Sequence, residues 1–153
     1  MPQLAILLIN GLLLVIIKLI LKKMVKLGYT ILYVSNVEKS IEFYENAFGF
    51  KRKFISPEHD YGELNTGETT LSFASKKLAS SNLKDGFLES NVNEKPFAIE
   101  IAFITDNVEE ITERTMRAGA TLIENPKQKS WGQTVSYIRD IDGFLVEICS
   151  PIE

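Results

Sequence analysis

Two acidic residues interrupt runs that are otherwise apolar. Glu100 lies in FAIEIAF and Glu147 in FLVEICS. If each run is a strand, alternation puts Glu100 on the face opposite Ile99, Ile101 and Phe103, and Glu147 opposite Val146 and Ile148. Two carboxylates facing one cleft repel each other and lose water, which raises at least one pKa. Such a pair could serve as a general base and its conjugate acid, or share a proton while accepting a donor from a ligand. Glu100 and Glu147 are therefore the candidate catalytic residues. The bland alternative is local neutralisation, by a tyrosine hydroxyl or by Arg139.

A second group is suited to binding rather than catalysis. Tyr29, Ile31 and Tyr33 share one face of YTILYV, and Ser72 lies with Thr70 and Ala74 on one face of TLSFAS. Aromatic rings with polar tips suit a pocket that grips a planar or mixed-polarity small molecule; they could equally be packing. Trp131, the only tryptophan, stands in the polar loop KQKSWGQ, where it could cover a ligand or simply pack as a lid. Cys149 follows Glu147 on the same face but has no basic neighbour in sequence, so it reads as a small buried hydrophobe. His59, the single histidine, follows Pro57 in a turn and is assigned no role.

These residues are carried by two versions of one unit. In the first, residues 29–34 read as a strand, Ser35 or Asn36 as a helix cap, and Val37, Ile41, Tyr44 and Phe48 as a buried stripe ended by Gly49. In the second, strand 99–104 is followed by a cap at Thr105 or Asp106. Helix 107–118 follows, with Val108, Ile111 and Met116 near one side, and Gly119 stops it. Each helix leads into three further strands: KRKFIS, 60–65 and 69–75 in the first unit, and ATLIEN ended by Pro126, TVSYIRD and FLVEICS in the second. The predicted class is α+β, with tandem βαβββ modules at 27–75 and 97–153 forming a curved mixed sheet around a cleft. Residues 76–96 form the crossover, with a turn of helix near Leu78–Leu83.

At 153 residues the chain is long enough for one domain, here 27–153. A formal net charge of -3, with no basic run outside residues 18–26, argues against a nucleic-acid partner. One cysteine excludes an intrachain disulfide and suggests a reducing compartment, hence the cytoplasm. One histidine excludes a multi-histidine metal centre within one chain. Residues 1–26 form a hydrophobic leader. Its stretch 4–21, apolar except for Asn10 and Lys18, would rise ~27 Å as a helix, enough to cross a bilayer. Lys18, Lys22, Lys23 and Lys26 would then hold the domain on the cytoplasmic side. The leader is either such an anchor or a non-native extension before Met24, and only in the first case is a membrane a partner.

The opening YVSNVEKSIEFYENAFGF and the closing WGQTVSYIRDIDGFLVEICSP resemble the vicinal oxygen chelate superfamily, which includes glyoxalase I, bleomycin-resistance proteins and extradiol dioxygenases. The resemblance covers residues 27–152 and implies the tandem-module fold, a small-molecule ligand and a homodimer. Metal-dependent members of that superfamily hold an ion at four positions, which fall here at Tyr29, Ser72 (Leu71 under a shifted gap), Glu100 and Glu147. A tyrosine and a serine hydroxyl are poor ligands for a catalytic divalent ion, so no cofactor is expected. The alternative is a weakly held Zn, Ni, Mn or Mg on Glu100 and Glu147. The resemblance thus implies a metal-independent small-molecule-binding protein with a pocket of Tyr29, Tyr33, Ser72, Glu100, Trp131 and Glu147. The competing reading is a glyoxalase I-like or epimerase-like enzyme using Glu100 or Glu147 as base.

Overall fold

The computed structural model describes Leu13 and residues 25–152, so the leader and any anchor at 4–21 lie outside the described residues. Among the described residues no helix is long and apolar enough to cross a membrane. The first module runs β1 (Tyr29–Val34), α1 (Val37–Phe48), β2 (Lys51–Ile55), β3 (Tyr61–Asn65) and β4 (Thr70–Ser75). The crossover begins with a short helix, α2 (Lys76–Asn82). The second module repeats the order as β5 (Ile101–Ile104), α3 (Val108–Arg117), β6 (Thr121–Gln128), β7 (Thr134–Arg139) and β8 (Leu145–Cys149).

Each module folds into a four-stranded mixed sheet, β1-β4-β3-β2 in one and β5-β8-β7-β6 in the other. The first and last strands of a module run parallel, and the other pairs are antiparallel. A parallel pair needs a long connection, and α1 or α3 with the following hairpin supplies it.

The predicted stripe of α1 is buried: Val37, Ile41 and Tyr44 are at most 1% exposed and Phe48 packs against the same core. Asn36 rather than Ser35 caps the helix, its Oδ1 accepting from the Lys39 N–H. Gly49 stops it in the left-handed region, which a side chain would strain. The apolar residues of both sheets that face the helices join in one core, from Leu32, Val34, Leu71 and Phe73 to Ile138, Val146 and Ile148. Helix α1 lies against α3, and Arg114 Nε donates to the Ala47 and Asn46 carbonyls at 2.7 and 3.0 Å. The helical side therefore welds the modules together, and the opposite face of each sheet is left for other use.

Four local expectations are corrected. Strand β5 begins at Ile101 rather than 99, because Phe97–Glu100 has no strand neighbour in the second sheet. The cap of α3 is Asn107, not Thr105 or Asp106, and its Oδ1 accepts from the Glu110 N–H at 3.1 Å. Met116 is 40% exposed, whereas Thr112 and Thr115 are buried. Their hydroxyls donate to Val108 and Thr112 carbonyls at 2.7 Å, so neither buried hydroxyl is left unpaired. Strand β6 passes Pro126 and continues to Gln128. It is an edge strand with two register shifts, and proline is tolerated where its missing N–H falls outside the ladder.

Candidate functional site

Strand register decides which residues meet on the face turned away from the helices. In the second sheet Glu147 lies between Ala102 of β5 and Tyr137 of β7, with Cys149 and Val135 one pair further along. Glu100 precedes β5 and is exposed, yet it reaches the same group. Partial burial of the Glu100 carboxyl raises its pKa, and the charge and hydrogen bonding of Glu147 raise it further. The Tyr137 hydroxyl donates to Glu147 Oε2 at 2.7 Å. That bond, with burial and the two carboxylate charges, pushes the tyrosine up to about 12. Burial and Glu147 push the Cys149 thiol up to about 11, which makes it a poor nucleophile.

The structure thus brings Glu100 and Glu147 together and supplies Tyr137 as the neutral partner. Among the described residues no ion pair reaches either carboxylate. Arg139, the other neutralising group considered from sequence, is spent elsewhere. Its guanidinium is buried and donates to the carbonyls of Gly143, Glu94 and Asn91 at 2.6–2.8 Å. It ties the crossover to the β7–β8 turn. Gly143 lies beneath that crossing at φ 91°, where an added Cβ would fall 2.7 Å from the Asn91 carbonyl carbon.

The first sheet carries a different group. Tyr29, Ile31 and Tyr33 share the open face with Thr70, Ser72 and Ala74, as the alternation predicts. Tyr33 packs edge-on against Phe87 of the crossover, with ring centroids 4.8 Å apart. Beside Ser72, on β3, stands Glu63. It is 6% exposed, accepts from Lys53 Nζ at 2.8 Å, and accepts from the Tyr61 hydroxyl at 3.0 Å. Sequence reasoning missed Glu63. The signal was present in YGELN, where Leu64 is the core residue and Glu63 must face the other way, but hairpin register is needed to set it beside Ser72.

Tyr29 and Ser72 therefore form one group with Glu63, while Glu100 and Glu147 form another with Tyr137. No hydrogen bond or ion pair joins the two groups among the described residues. Trp131 joins neither. It is 61% exposed, donates to Gln133 Oε1 at 2.9 Å, and lines a separate hollow of about 470 Å³ with Asp106, Ser150 and Ile152.

The turn Asp140–Gly143 proves structural. Asp140 is 1% exposed; Oδ1 accepts from the Asp142 and Phe144 N–H groups and Oδ2 from the Tyr44 hydroxyl at 2.8 Å. Asp142 Oδ2 accepts from Ser40 at 2.6 Å. Both aspartates thus bind α1 of the other module. Burial pushes the Asp140 carboxyl up to about 6, against the opposing pull of its donors.

Two tandem βαβββ modules, each with a helix on one face of its sheet and polar groups on the other, define the class of protein. The comparisons agree. Residues 26–148 match the Glyoxalase/Bleomycin resistance protein/Dioxygenase superfamily. The lactoylglutathione lyase of Neisseria meningitidis is 30% identical over 130 residues, which span 80% of this chain and 88% of that protein. A virulence protein of Salmonella typhimurium is 25% identical over 127 residues, 80% of this chain and 82% of its own length. The crystal structure of a glyoxalase-related enzyme from Fulvimarina pelagi superposes with a TM-score of 0.72, covering 84% of this chain and 89% of its own at 20% identity. The chain belongs to this superfamily, and its fold is the superfamily's small-molecule-binding scaffold.

A divalent metal at the four inherited positions is a poor fit to the residues present. Ser72 is fully buried, Tyr29 offers only a phenol, and one oxygen of Glu147 already accepts from Tyr137. Among the described residues no group of three or more His, Cys, Asp or Glu is placed to hold an ion. The donor set is one of hydroxyls and paired carboxylates, which hold organic hydrogen-bonding groups better than a zinc or nickel ion.

Proposed function

We propose that the protein binds a small organic molecule on the open face of the second sheet, with Glu100 and Glu147 as the principal contacts. The supporting observation is the Tyr137–Glu147 hydrogen bond beside a Glu100 carboxyl of raised pKa. The trio holds two carboxyls and one hydroxyl, with the Lys129 ammonium 5.5 Å from the Tyr137 ring and, among the described residues, no ion pair to either carboxylate. A ligand N–H or O–H can donate to Glu147 or to Glu100. Binding needs no ion in this reading. Tyr29 and Tyr33 present apolar rings on the first sheet. We further propose that a second copy of the chain brings such a face over the Glu100–Glu147 group, which makes the working form a homodimer. The lone, buried Cys149 fits a cytoplasmic setting.

A thermal-shift screen of small metabolites with the wild type and Glu147→Gln in parallel tests this. Compounds should raise the wild-type midpoint and lose most of that effect in the variant. If every stabilising compound works equally well on both, the assignment fails. Tight stoichiometric zinc, nickel or manganese that vanishes in Glu147→Gln would overturn the metal-independent reading.

The 30% identity to a lactoylglutathione lyase favours one second reading, a proton-transfer enzyme with Glu100 or Glu147 as base. A base that removes a proton alpha to a carbonyl leaves an anionic oxygen, which needs a positive or hydrogen-bonding partner. Tyr137, beside the pair, is already committed to Glu147, and Lys129, 5.5 Å from the Tyr137 ring, is the positive group nearest to it among those described. Turnover in a lactoylglutathione lyase assay that disappears in Glu147→Gln would establish the enzyme.

A further inference from the structure

One cation stands beside the acidic face of the second sheet with no acid to match it. Among the described residues, Lys76 and Lys129 are the half-buried lysines, and the others are exposed. A charge drawn out of water calls for a partner, and Lys76 has one in Glu89 at 2.8 Å. Lys129 has none: among the described residues no ion pair reaches its ammonium. Glu124, which faces Tyr137 across the β6–β7 ladder, is exposed and does not pair with it either. The position of Lys129 is nevertheless fixed. It closes the β6–β7 hairpin, its N–H donating to the Gln133 carbonyl at 2.7 Å and its carbonyl accepting from the Gly132 N–H at 3.0 Å. Its Nζ lies 5.5 Å from the centre of the Tyr137 ring. A lysine stem laid on a ring keeps its head toward water, so the three N–H donors stay available to a further group.

The same tyrosine carries the opposite charge at its tip. Its hydroxyl donates to Glu147, and Glu100 lies alongside. Tyr137 therefore stands between two acids that no cation reaches and an ammonium that no acid reaches. Elsewhere the chain closes such gaps itself, with Arg52 on Glu45, Lys53 on Glu63 and Lys76 on Glu89 at 2.8–2.9 Å. The charges around Tyr137 restrict what can close this one. A simple anion would be drawn to Lys129 but repelled by Glu100 and Glu147. A simple cation would satisfy the acids and leave Lys129 unmatched. A molecule with one charge of each sign meets both needs, and the ring between them offers an apolar surface to the chain that joins them.

We propose that Lys129 is a specificity-determining residue of the second-sheet site and that the site takes a zwitterion, with an ammonium on Glu147 and Glu100 and a carboxylate on Lys129. The proposal rests on the reading that Glu100 and Glu147 contact the ligand, and it names the class of that ligand. The acids supply most of the attraction for the ammonium, and Lys129 selects the molecules that also carry a carboxylate.

The test uses the full chain, labelled with ¹⁵N, and three probes of one chain length: 4-aminobutyrate, butylammonium and butyrate. 4-Aminobutyrate should shift the amide signals of Lys129 and Tyr137 in a saturable way, binding about tenfold tighter than butylammonium, as expected for one charge-assisted hydrogen bond. Butyrate should bind least. In Lys129→Gln the tenfold advantage should vanish, while butylammonium binds as before or slightly better because a positive charge has gone. A damaged loop would weaken both probes together, so this selective loss reports on charge. Lys129→Arg should restore most of the advantage, and Glu147→Gln should weaken 4-aminobutyrate and butylammonium alike. An advantage that persists in Lys129→Gln would mean that the lysine only packs on the ring, and the proposal would fall. An equal loss of both probes in that variant, butyrate binding as tightly as the zwitterion, or no saturable shift with any probe would overturn it too. None of these outcomes touches the Glu100–Glu147 reading, which fails separately if no stabilising compound depends on Glu147.

Discussion

The two modules share a plan and differ in chemistry, and the difference lies on one face only. On the helical side, Leu71 and Phe73 of β4 correspond to Val146 and Ile148 of β8, and all four are buried in one core. On the open side, the middle of the last strand is Ser72 in the first module and Glu147 in the second. The neighbouring strand reverses the pattern, with Glu63 beside Ser72 and Tyr137 beside Glu147. Each module thus pairs a carboxylate with a hydroxyl, but with the strands exchanged. In the first module a lysine neutralises the acid; in the second a further glutamate crowds it. The helical side has to satisfy packing, whereas the open side is free to hold different polar groups on the same backbone.

The most disruptive way to test this division is to damage the shared side. Phe73→Ala removes a fully buried ring that packs on Tyr44, and should cost about 3–5 kcal/mol by denaturant titration. Because the core is common, both halves should lose structure in one transition. A second, independent transition for residues 97–152 would break the comparison.

Next in size is the link between the modules through Asp140. Its folded pKa of about 6 lies above the ordinary carboxylate value, so the native state holds this proton more tightly than the unfolded chain. The contribution of this residue to stability is therefore greatest below about pH 4 and declines as pH rises to about 6, by on the order of 2–3 kcal/mol. Asp140→Asn should remove that slope from a plot of unfolding free energy against pH. An unchanged slope would place the titration elsewhere.

Smaller effects separate the open faces. Glu147→Gln should return the Tyr137 phenol from about 12 toward 10, as read by ultraviolet titration, and leave Tyr61 where it is. Movement of Tyr61 would show that the two groups are coupled. The smallest effect should be on Cys149. Alkylation of the native protein should be slow, since burial and Glu147 hold the thiol at about 11, and Glu147→Gln should accelerate it only modestly because burial dominates. Rapid modification of the wild type would contradict the buried position.

Much of the fold was legible because both periodicities are strong. The stripe Val37, Ile41, Tyr44, Phe48 and the alternation of TLSFAS fixed one helix and one strand with the correct faces. Glu100 and Glu147 were also placed together, since each breaks an apolar run. The rest depended on distances that a linear pattern does not contain. Glu63 enters the first group only through the β3–β4 register. Tyr137 becomes the partner of Glu147 only through β7–β8. Arg139 was considered as a neutraliser of the two glutamates, yet it binds the carbonyls of Glu94 and Asn91, 45 and 48 residues away; the Asp140–Tyr44 bond spans 96 residues. Trp131 was drawn toward the pocket by its residue type, but its loop extends beyond the ends of β5 and β8.

The single core beneath the two sheets has a consequence for how this protein can be altered. A change under the helices is felt by both halves, so the scaffold tolerates few experiments there. A change on an open face is felt mainly by its own half. Recognition properties can therefore be exchanged one surface at a time, and grafting the Glu147–Tyr137 arrangement onto Ser72 and Glu63 would ask whether two like faces bind as two unlike ones do.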